Sequence, residues 1–556
     1  MGVARVFASG ICVIQPNLCG IPLAVGCDRF LFFGGWHRFA CDGRRDMGLE
    51  NVGAQNVASL ECETSGVVGI MSPRNAFFVF VGILTLARVG LLLWSGVSPD
   101  NAYFSICAEH PAPAYFDGPA GAAMQAGAMG ALGGDWWLVA GPLWALLASL
   151  AAWRLGVRLF GETAAAWGVI AWNLVPAFQN AAFSVGPEMP ALALSLAGAS
   201  IVWDASRNQR GAFLGWVAAA FAFAGAVLFA YWAVLVALAC VLAPWSREAG
   251  RRPGNAAGGA LVVIFVALAL APALLWNQSN SWIPLAGSTF QALIELEGAS
   301  VGIGVLGLFL GVSPLLALAV FWAIGKSLEK AREKPAAAFA VFVSLPSIAL
   351  TVLFAYRGWD AATISLFTLA VWFPAASLLV RPALFGVAMI VALGLSVPVW
   401  LAYPRLVAVP FNAAEAVLSL EEKLSPQLPE GIFFIATDAP LASALGYHLR
   451  KAFIAPEGYP RVHAAASQDI SNQYALWPSY DDFIETAAPV DEFFTEVSAV
   501  NPYLGHAALY VGRERPENLP SSIRSAFSEV QLVQEVGKGQ DALFIYLCLD
   551  YQTLPL

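Results

Sequence analysis

The residues of this chain best suited to chemistry are acidic, and they sit between long apolar runs. Asp100, Glu109, His110, Asp117 and Asp135 fall in a stretch, 97–135, that holds no Lys or Arg. Glu188 closes the short turn Gly186-Pro187-Glu188, and a second polar stretch, 277–300, carries Trp282, Glu295 and Glu297. Two arginines stand out: Arg88 lies inside an apolar run, where charge is costly, and Arg357 follows Tyr356 in a short connection. A carboxylate beside a hydroxyl can take its proton, a guanidinium can hold a phosphate, and an indole can stack on an apolar or sugar face. Each residue also has a plain structural reading. Asp100 follows Pro99 as a helix cap would, Asp117 suits a Gly-Pro turn, and Glu188 suits a helix N-terminus. Arg357 suits an interface anchor, and Arg88 a snorkelling or internally paired side chain. His110 reads as a surface residue rather than a ligand.

The elements that must position these residues are membrane spans. Of the 556 residues, 58% are hydrophobic and only 12% charged, with a mean hydropathy of +0.67. Soluble domains carry about 25% charged residues, so the chain is built for a bilayer. The 19 Trp and 36 Phe suit membrane interfaces. No basic stretch interleaved with aromatics points to nucleic acid. Apolar runs near 76–96, 136–156, 164–184, 188–204, 211–228, 230–245, 257–276, 301–323, 336–356, 361–380 and 383–403 predict about 11 transmembrane helices. Bases alternate with them. Arg74 precedes the first, and Arg154, Arg158, Arg207, Arg210, Arg247, Arg251, Arg252, Lys326, Lys330, Arg332, Lys334 and Arg381 fall in every second connection. The positive-inside rule puts those connections and the N-terminus in the cytoplasm and the acidic stretches 97–135 and 277–300 outside.

The two ends of the chain differ from this middle. Residues 1–70 mix Gly, Arg and five of the eight cysteines without sustained periodicity or a run long enough to span. They read as a disordered or mis-started extension, with translation beginning at Met71; the alternative is a family-specific extension. No cysteine pair has zinc-ligand or redox spacing. From 405 to 556 the composition becomes that of a soluble domain. Strands at Ile432–Ala436, Ala507–Val511 and Ala542–Leu547 with helices at Ala439–Leu449 and Ser521–Phe527 predict a small α/β layer. It has no glycine-rich phosphate loop. The membrane region is thus 71–404.

Six landmarks resemble glycosyltransferase family 39, the GT-C-fold enzymes that include protein O-mannosyltransferases and aminoarabinose transferases. They are Ser98-Pro-Asp100-Asn-Ala-Tyr103, Tyr115-Phe-Asp117-Gly-Pro119, Arg158-Leu-Phe-Gly161, Gly186-Pro187-Glu188, Trp276-Asn277 through Trp282, and Ser471-Asn-Gln-Tyr474-Ala-Leu-Trp-Pro478. The chain departs from the family where an acidic pair becomes Asp100-Asn101, where a histidine becomes Gly118, and where a basic residue gives way to Phe229-Ala-Tyr231.

The resemblance implies a GT-C-like catalytic domain that moves a sugar from a polyprenyl-phosphate donor to lipid A, a glycan or a protein on the periplasmic face of a bacterial inner membrane. Asp100 is then the general base of an inverting transfer. Arg357, Tyr356 and Arg88 are candidates to hold the donor phosphate. Asp117, Glu188 and Trp282 are candidates to touch substrate or metal. No cofactor is certain; a divalent metal is one option, and its identity is unknown. Two other classes compete. A secondary transporter is disfavoured by few paired intramembrane charges and no clear inverted repeat. An inactive relative acting as a binding or assembly subunit is motivated by Asn101 in place of a carboxylate.

Overall fold

The computed structural model describes residues 71–207, 212–246, 252–286, 298–355, 359–428, 431–449, 456–465, 470–489, 495–539 and 542–552. The expectations for 1–70, Tyr356 and Arg357 fall outside the described residues. In chain order the first elements are α1 (Pro73–Ser95), α2 (Pro99–Glu109), β1 (Ala114–Tyr115), β2 (Gly118–Pro119), α3 (Gly121–Gly130) and a 3-10 helix (Gly134–Val139). The bundle continues with α4 (Ala140–Phe160), α5 (Glu162–Asn173), α6 (Pro176–Phe183), α7 (Glu188–Arg207), α8 (Ala212–Phe229), α9 (Ala233–Leu242) and α10 (Pro253–Ser279). It ends with α11 (Gly298–Val312), α12 (Pro314–Lys330), α13 (Pro335–Leu353), α14 (Trp359–Leu379) and α15 (Pro382–Leu424). Many of these helices open on proline, whose fixed φ suits the first turn and whose missing N–H would be unsatisfied there anyway. Ser72 and Ser98 cap two of them by accepting from Asn75 N and Asn101 N, each at 3.3 Å.

The protein is a multi-pass membrane protein. Among the described residues, eight helices are long and apolar enough to cross a bilayer, and the pair α11–α12, bent by 82° around Ser313, brings the total to nine if it counts as one span. The expected spans overlap helical segments, but the expected count of eleven is not reached: three are divided or short, 164–184 being α5 plus α6, 230–245 being α9, and 301–323 falling on the bent pair α11–α12. The division has a cause. Pro176 forces Val175 into an extended conformation (φ −69°, ψ 129°) and ends α5. The carbonyls freed at the break are recaptured by side chains. Gln179 Nε2 donates to Asn173 O, and Ser396 Oγ donates to Leu174 O at 2.7 Å.

The bundle has two chemically distinct ends. At one, Arg158 meets Asp204 at 3.1 Å, Arg154 meets Asp204 at 3.3 Å, and Arg74 approaches Glu162 at 3.9 Å. The start of α1, the end of α4, the start of α5 and the end of α7 therefore share the basic side, as the alternation of bases requires. At the other end α1 runs into α2, α6 into the turn before α7, and α15 carries the chain out of the bundle.

Helix α15 does not stop at Pro404, where the composition changes. It runs 43 residues, and Ala413, Ala414, Val417 and Leu420 of its last turns are buried in the core of the C-terminal sheet. That region contains β3 (Ile432–Ala436), α16 (Ala439–Leu449), β4 (Val462–Ala464), β5 (Ile484–Pro489), β6 (Thr495–Val500), β7 (Ala507–Gly512), α17 (Ser521–Ala526), β8 (Phe527–Val536) and β9 (Leu543–Tyr551). The five-stranded sheet has the order β4-β3-β7-β9-β8, with β3 parallel to both neighbours and β9 antiparallel to both of its own. Both faces of β3 are covered. Phe434 and Ala436 pack toward α15 and α16, and Phe433 and Ile435 toward an aromatic layer with Tyr480, Tyr503 and Tyr510. Its unbroken apolar run reflects that double burial.

Candidate functional site

Helix α2 organises the acidic end. Asp100 lies in its first turn and is exposed. Tyr103 and Phe104, three and four residues on, share its face. Asp117 reaches this face from the β1–β2 turn: burial, and then the Asp117 charge, push the Tyr103 phenol well above its usual range. Glu188 reaches it from the start of α7. A Cβ built at Gly186 would fall 2.6 Å from Glu188 Oε2 and 3.3 Å from Phe104 Cε2, so glycine lets the turn pass between the two. Three carboxylates from three separate sequence motifs thus gather around one short helix.

Asn101 holds that helix in place. It is fully buried; its Nδ2 donates to Phe183 O and Tyr403 Oη, each at 3.2 Å, and its Oδ1 accepts from Val185 N at 2.8 Å. Tyr403 of α15 in turn donates to Gly96 O at 3.3 Å. One side chain therefore ties α2 to the α6–α7 turn and to α15. A carboxylate here would have no N–H to offer the Phe183 carbonyl. The sequence showed Asn101 only as a missing acid; its structural task appears once the three partners come together.

The far end of α2 meets the C-terminal domain. Phe116 N–H donates to Gln473 Oε1 at 2.7 Å, which joins the Tyr115–Pro119 landmark to the Ser471–Pro478 landmark. Tyr115 Oη donates to Cys107 O at 2.8 Å and His110 O at 3.1 Å, and burial pushes its phenol up to about 12. Glu109 pairs with Arg461 at 3.2 Å, and the His110 ring lies 4.8 Å from that of Trp477. Burial, and then Arg461, hold the His110 imidazole below its usual range. His110, expected as a surface residue rather than a ligand, is half-buried at this seam. A second link runs from Tyr447 of α16 to Asp135 Oδ1 at 2.7 Å. Between α2, the end of α10 and the C-terminal domain lies a cavity of about 480 Å³, whose lining includes Glu109, His110, Trp276, Gln473 and Trp477.

Other expected residues are placed elsewhere. Trp282 sits in the turn after α10 with a left-handed φ of 62° and is 44% exposed; Trp276 and Asn280, not Trp282, line the cavity. Arg88 is fully buried in the bundle. Its Nε and Nη2 donate to Gln179 Oε1 at 3.1 and 2.9 Å, both Nη atoms lie 3.4 Å from Asn173 Oδ1, and Phe178 stacks beneath it at 5.1 Å. The reason is the α5–α6 break: a proline-interrupted helix presents amide oxygens that need donors, and Arg88 supplies them. To hold a phosphate it would have to give these contacts up. Among the described residues no group of three or more His, Cys, Asp or Glu stands close enough to hold a metal ion.

No family model matches the sequence, and comparison with curated proteins finds no match either. Solved structures do match. ArnT from Cupriavidus metallidurans in the apo state superposes with a TM-score of 0.56 at 13% identity, covering 86% of this chain and 98% of that one. The same protein bound to undecaprenyl phosphate gives 0.56 at 13% identity, covering 87% and 100%. The oligosaccharyltransferase of Archaeoglobus fulgidus reaches only 0.44 at 11% identity over 67% and 63%, a level from which nothing is read across. The chain therefore has the GT-C fold, a bundle of membrane helices continued by a C-terminal sheet domain, over the whole length of the ArnT structure.

Proposed function

We propose that this protein is a membrane glycosyltransferase that takes a sugar from a polyprenyl-phosphate carrier and gives it to a hydroxyl of a lipid, glycan or protein acceptor, at the periplasmic face of a bacterial inner membrane. The observation that carries the reading is the gathering of Asp100, Asp117 and Glu188 around α2, at the acidic end of a fold seen holding undecaprenyl phosphate in ArnT. The basic residues at the opposite end favour that end as the cytoplasmic one.

Asp100 is the residue we assign as general base. It is exposed, it begins a helix fixed by Asn101, and a carboxylate there can accept the proton of an acceptor hydroxyl. The hydroxyl oxygen then attacks the anomeric carbon from the side opposite the phosphate. The bond from that carbon to the phosphate oxygen breaks, its electron pair leaves with the carrier phosphate, and configuration inverts. Arg357 and Tyr356 are proposed to hold the departing phosphate, since Arg88 is engaged at the α5–α6 break. Asp117 and Glu188 are assigned to substrate hydroxyls.

The test is Asp100→Asn in the full-length protein with a lipid-linked sugar donor. Transfer should fall about 10²–10⁴-fold, the usual worth of a general base, while membrane insertion and melting stay as in the wild type. Undiminished transfer by Asp100→Asn would remove the assignment.

A further inference from the structure

The cavity at the seam between α2, α10 and the C-terminal domain is distinct in chemistry from a phosphate site. Among the described residues its lining contains two glutamates, Glu109 and Glu457, and no Lys or Arg. Glu109 is already occupied by Arg461 at 3.2 Å, whereas no ion pair to Glu457, which is exposed, forms among the described residues. None of the described lining residues offers a cation to an anionic headgroup.

What remains on the walls is a mixture of spare donors, spare acceptors and aromatic rings. Gln473, 2% exposed, is one of the lining residues; its Oε1 is spent on Phe116 N–H, and among the described residues no hydrogen bond from its Nε2 is formed. Asn280 is the complement: its Nδ2 donates back to Trp276 O at 2.8 Å, leaving Oδ1 as an acceptor. Trp276 and Trp477 are half-buried and contribute ring surface from opposite sides of the seam, one from α10 and one from the C-terminal domain. A volume of about 480 Å³ lies within the usual range of about 300–1,000 Å³ for small-molecule sites. Pyranose rings need this combination: hydroxyls that both donate and accept, and C–H faces that pack on indoles.

We infer that this cavity binds an uncharged or amino-bearing saccharide unit of the acceptor, with Trp477 and Trp276 packing on the ring and Gln473, Asn280 and Glu457 bonding its hydroxyls or amine. The saccharide class follows from the lining; its assignment to the acceptor rests on the function proposed above. Glu109 of the cavity wall stands nine positions beyond Asp100 on a helix that rises about 1.5 Å per residue, so the site would hold a unit beyond the one that reacts.

The experiment uses the full-length protein in lipid nanodiscs. Calorimetric titrations with cellobiose and with a glucosamine disaccharide are run beside titrations with undecaprenyl phosphate. The wild type should bind at least one disaccharide; Trp477→Ala should weaken it tenfold or more, and Glu457→Gln should weaken the amino sugar selectively. Neither change should alter undecaprenyl phosphate affinity, and in a transfer assay both should raise the acceptor KM without changing the donor KM. Glu457 is exposed, so its variant keeps the test valid if Trp477→Ala is unstable. Carrier binding with no disaccharide binding, or disaccharide binding indifferent to both substitutions, would overturn the inference and leave the transferase reading standing. Disaccharide binding without any carrier binding or transfer would count against the transferase reading and support a saccharide site.

Discussion

Two polar clusters in this molecule are built on opposite terms. Around Arg88 a charge is sealed inside the bundle and its N–H groups are given to the amide oxygens of Asn173 and Gln179. Around α2 three carboxylates stand at the end of the bundle, with Asp100 and Asp117 exposed. The first cluster repairs a helix broken by proline. The second is held in place by a neutral side chain, Asn101, which fixes the helix around which the acids gather. A buried charge in a membrane protein is therefore not by itself a sign of catalysis; what its donors already hold has to be counted first.

The sharpest way to break this contrast is to remove Arg88. Arg88→Leu should leave buried amide oxygens without donors, at about 1–3 kcal/mol for each group. The melting temperature of the purified protein should fall by far more than for any substitution on α2. Normal melting with lost transfer would instead make Arg88 a substrate residue. Next in size is Asn101→Ala, which loses three hydrogen bonds. Transfer should fall about tenfold, with melting lowered modestly, because each bond is worth about 0.5–1.5 kcal/mol net. Asn101→Asp, which restores an acidic pair, should not raise activity.

Smaller still is Gln473→Ala, which leaves Phe116 N–H without its acceptor. Protease should cut the 110–120 segment faster than in the wild type, with melting barely changed. The last effect, absent at neutral pH, is a pH dependence in the C-terminal domain. Burial in an aromatic box lowers the His463 pKa from about 6.5 to about 3. In the folded state the ring stays neutral; unfolded, it takes up a proton below about 6.5. Stability is then complete above pH 6.5 and is lost as pH falls toward 3. The near-UV dichroism of the tyrosine layer should melt earlier at pH 5 than at pH 7, and His463→Phe should flatten the difference.

How far the sequence could be read follows the physics. Spans were legible because about 20 apolar residues cross a bilayer in any context, and β3 and β7 because both faces of each are buried. Strand β8 was not, since it is an edge strand with mostly exposed positions from Ser528 to Glu535. The β5–β6 hairpin also escaped, as did the break at Val175, where the apolar run continues through Pro176. Asp100, Asp117 and Glu188 were each visible as residue types in outer segments, but nothing local says that a turn and a second helix bring Asp117 and Glu188 to the helix that carries Asp100. Gln473 lay within a noted landmark, yet its hydrogen bond to Phe116 spans 357 residues, and no spacing rule reaches that far.

The claim on which the rest depends is that the acidic face of α2 borders the place where a lipid carrier presents its phosphate-linked sugar. Asp100→Cys, labelled with a membrane-impermeant maleimide in intact spheroplasts against the unsubstituted protein as background, tests it directly. Labelling should proceed from outside, and undecaprenyl phosphate should slow it. Labelling only after permeabilisation, or at a rate indifferent to the carrier lipid, would contradict the account.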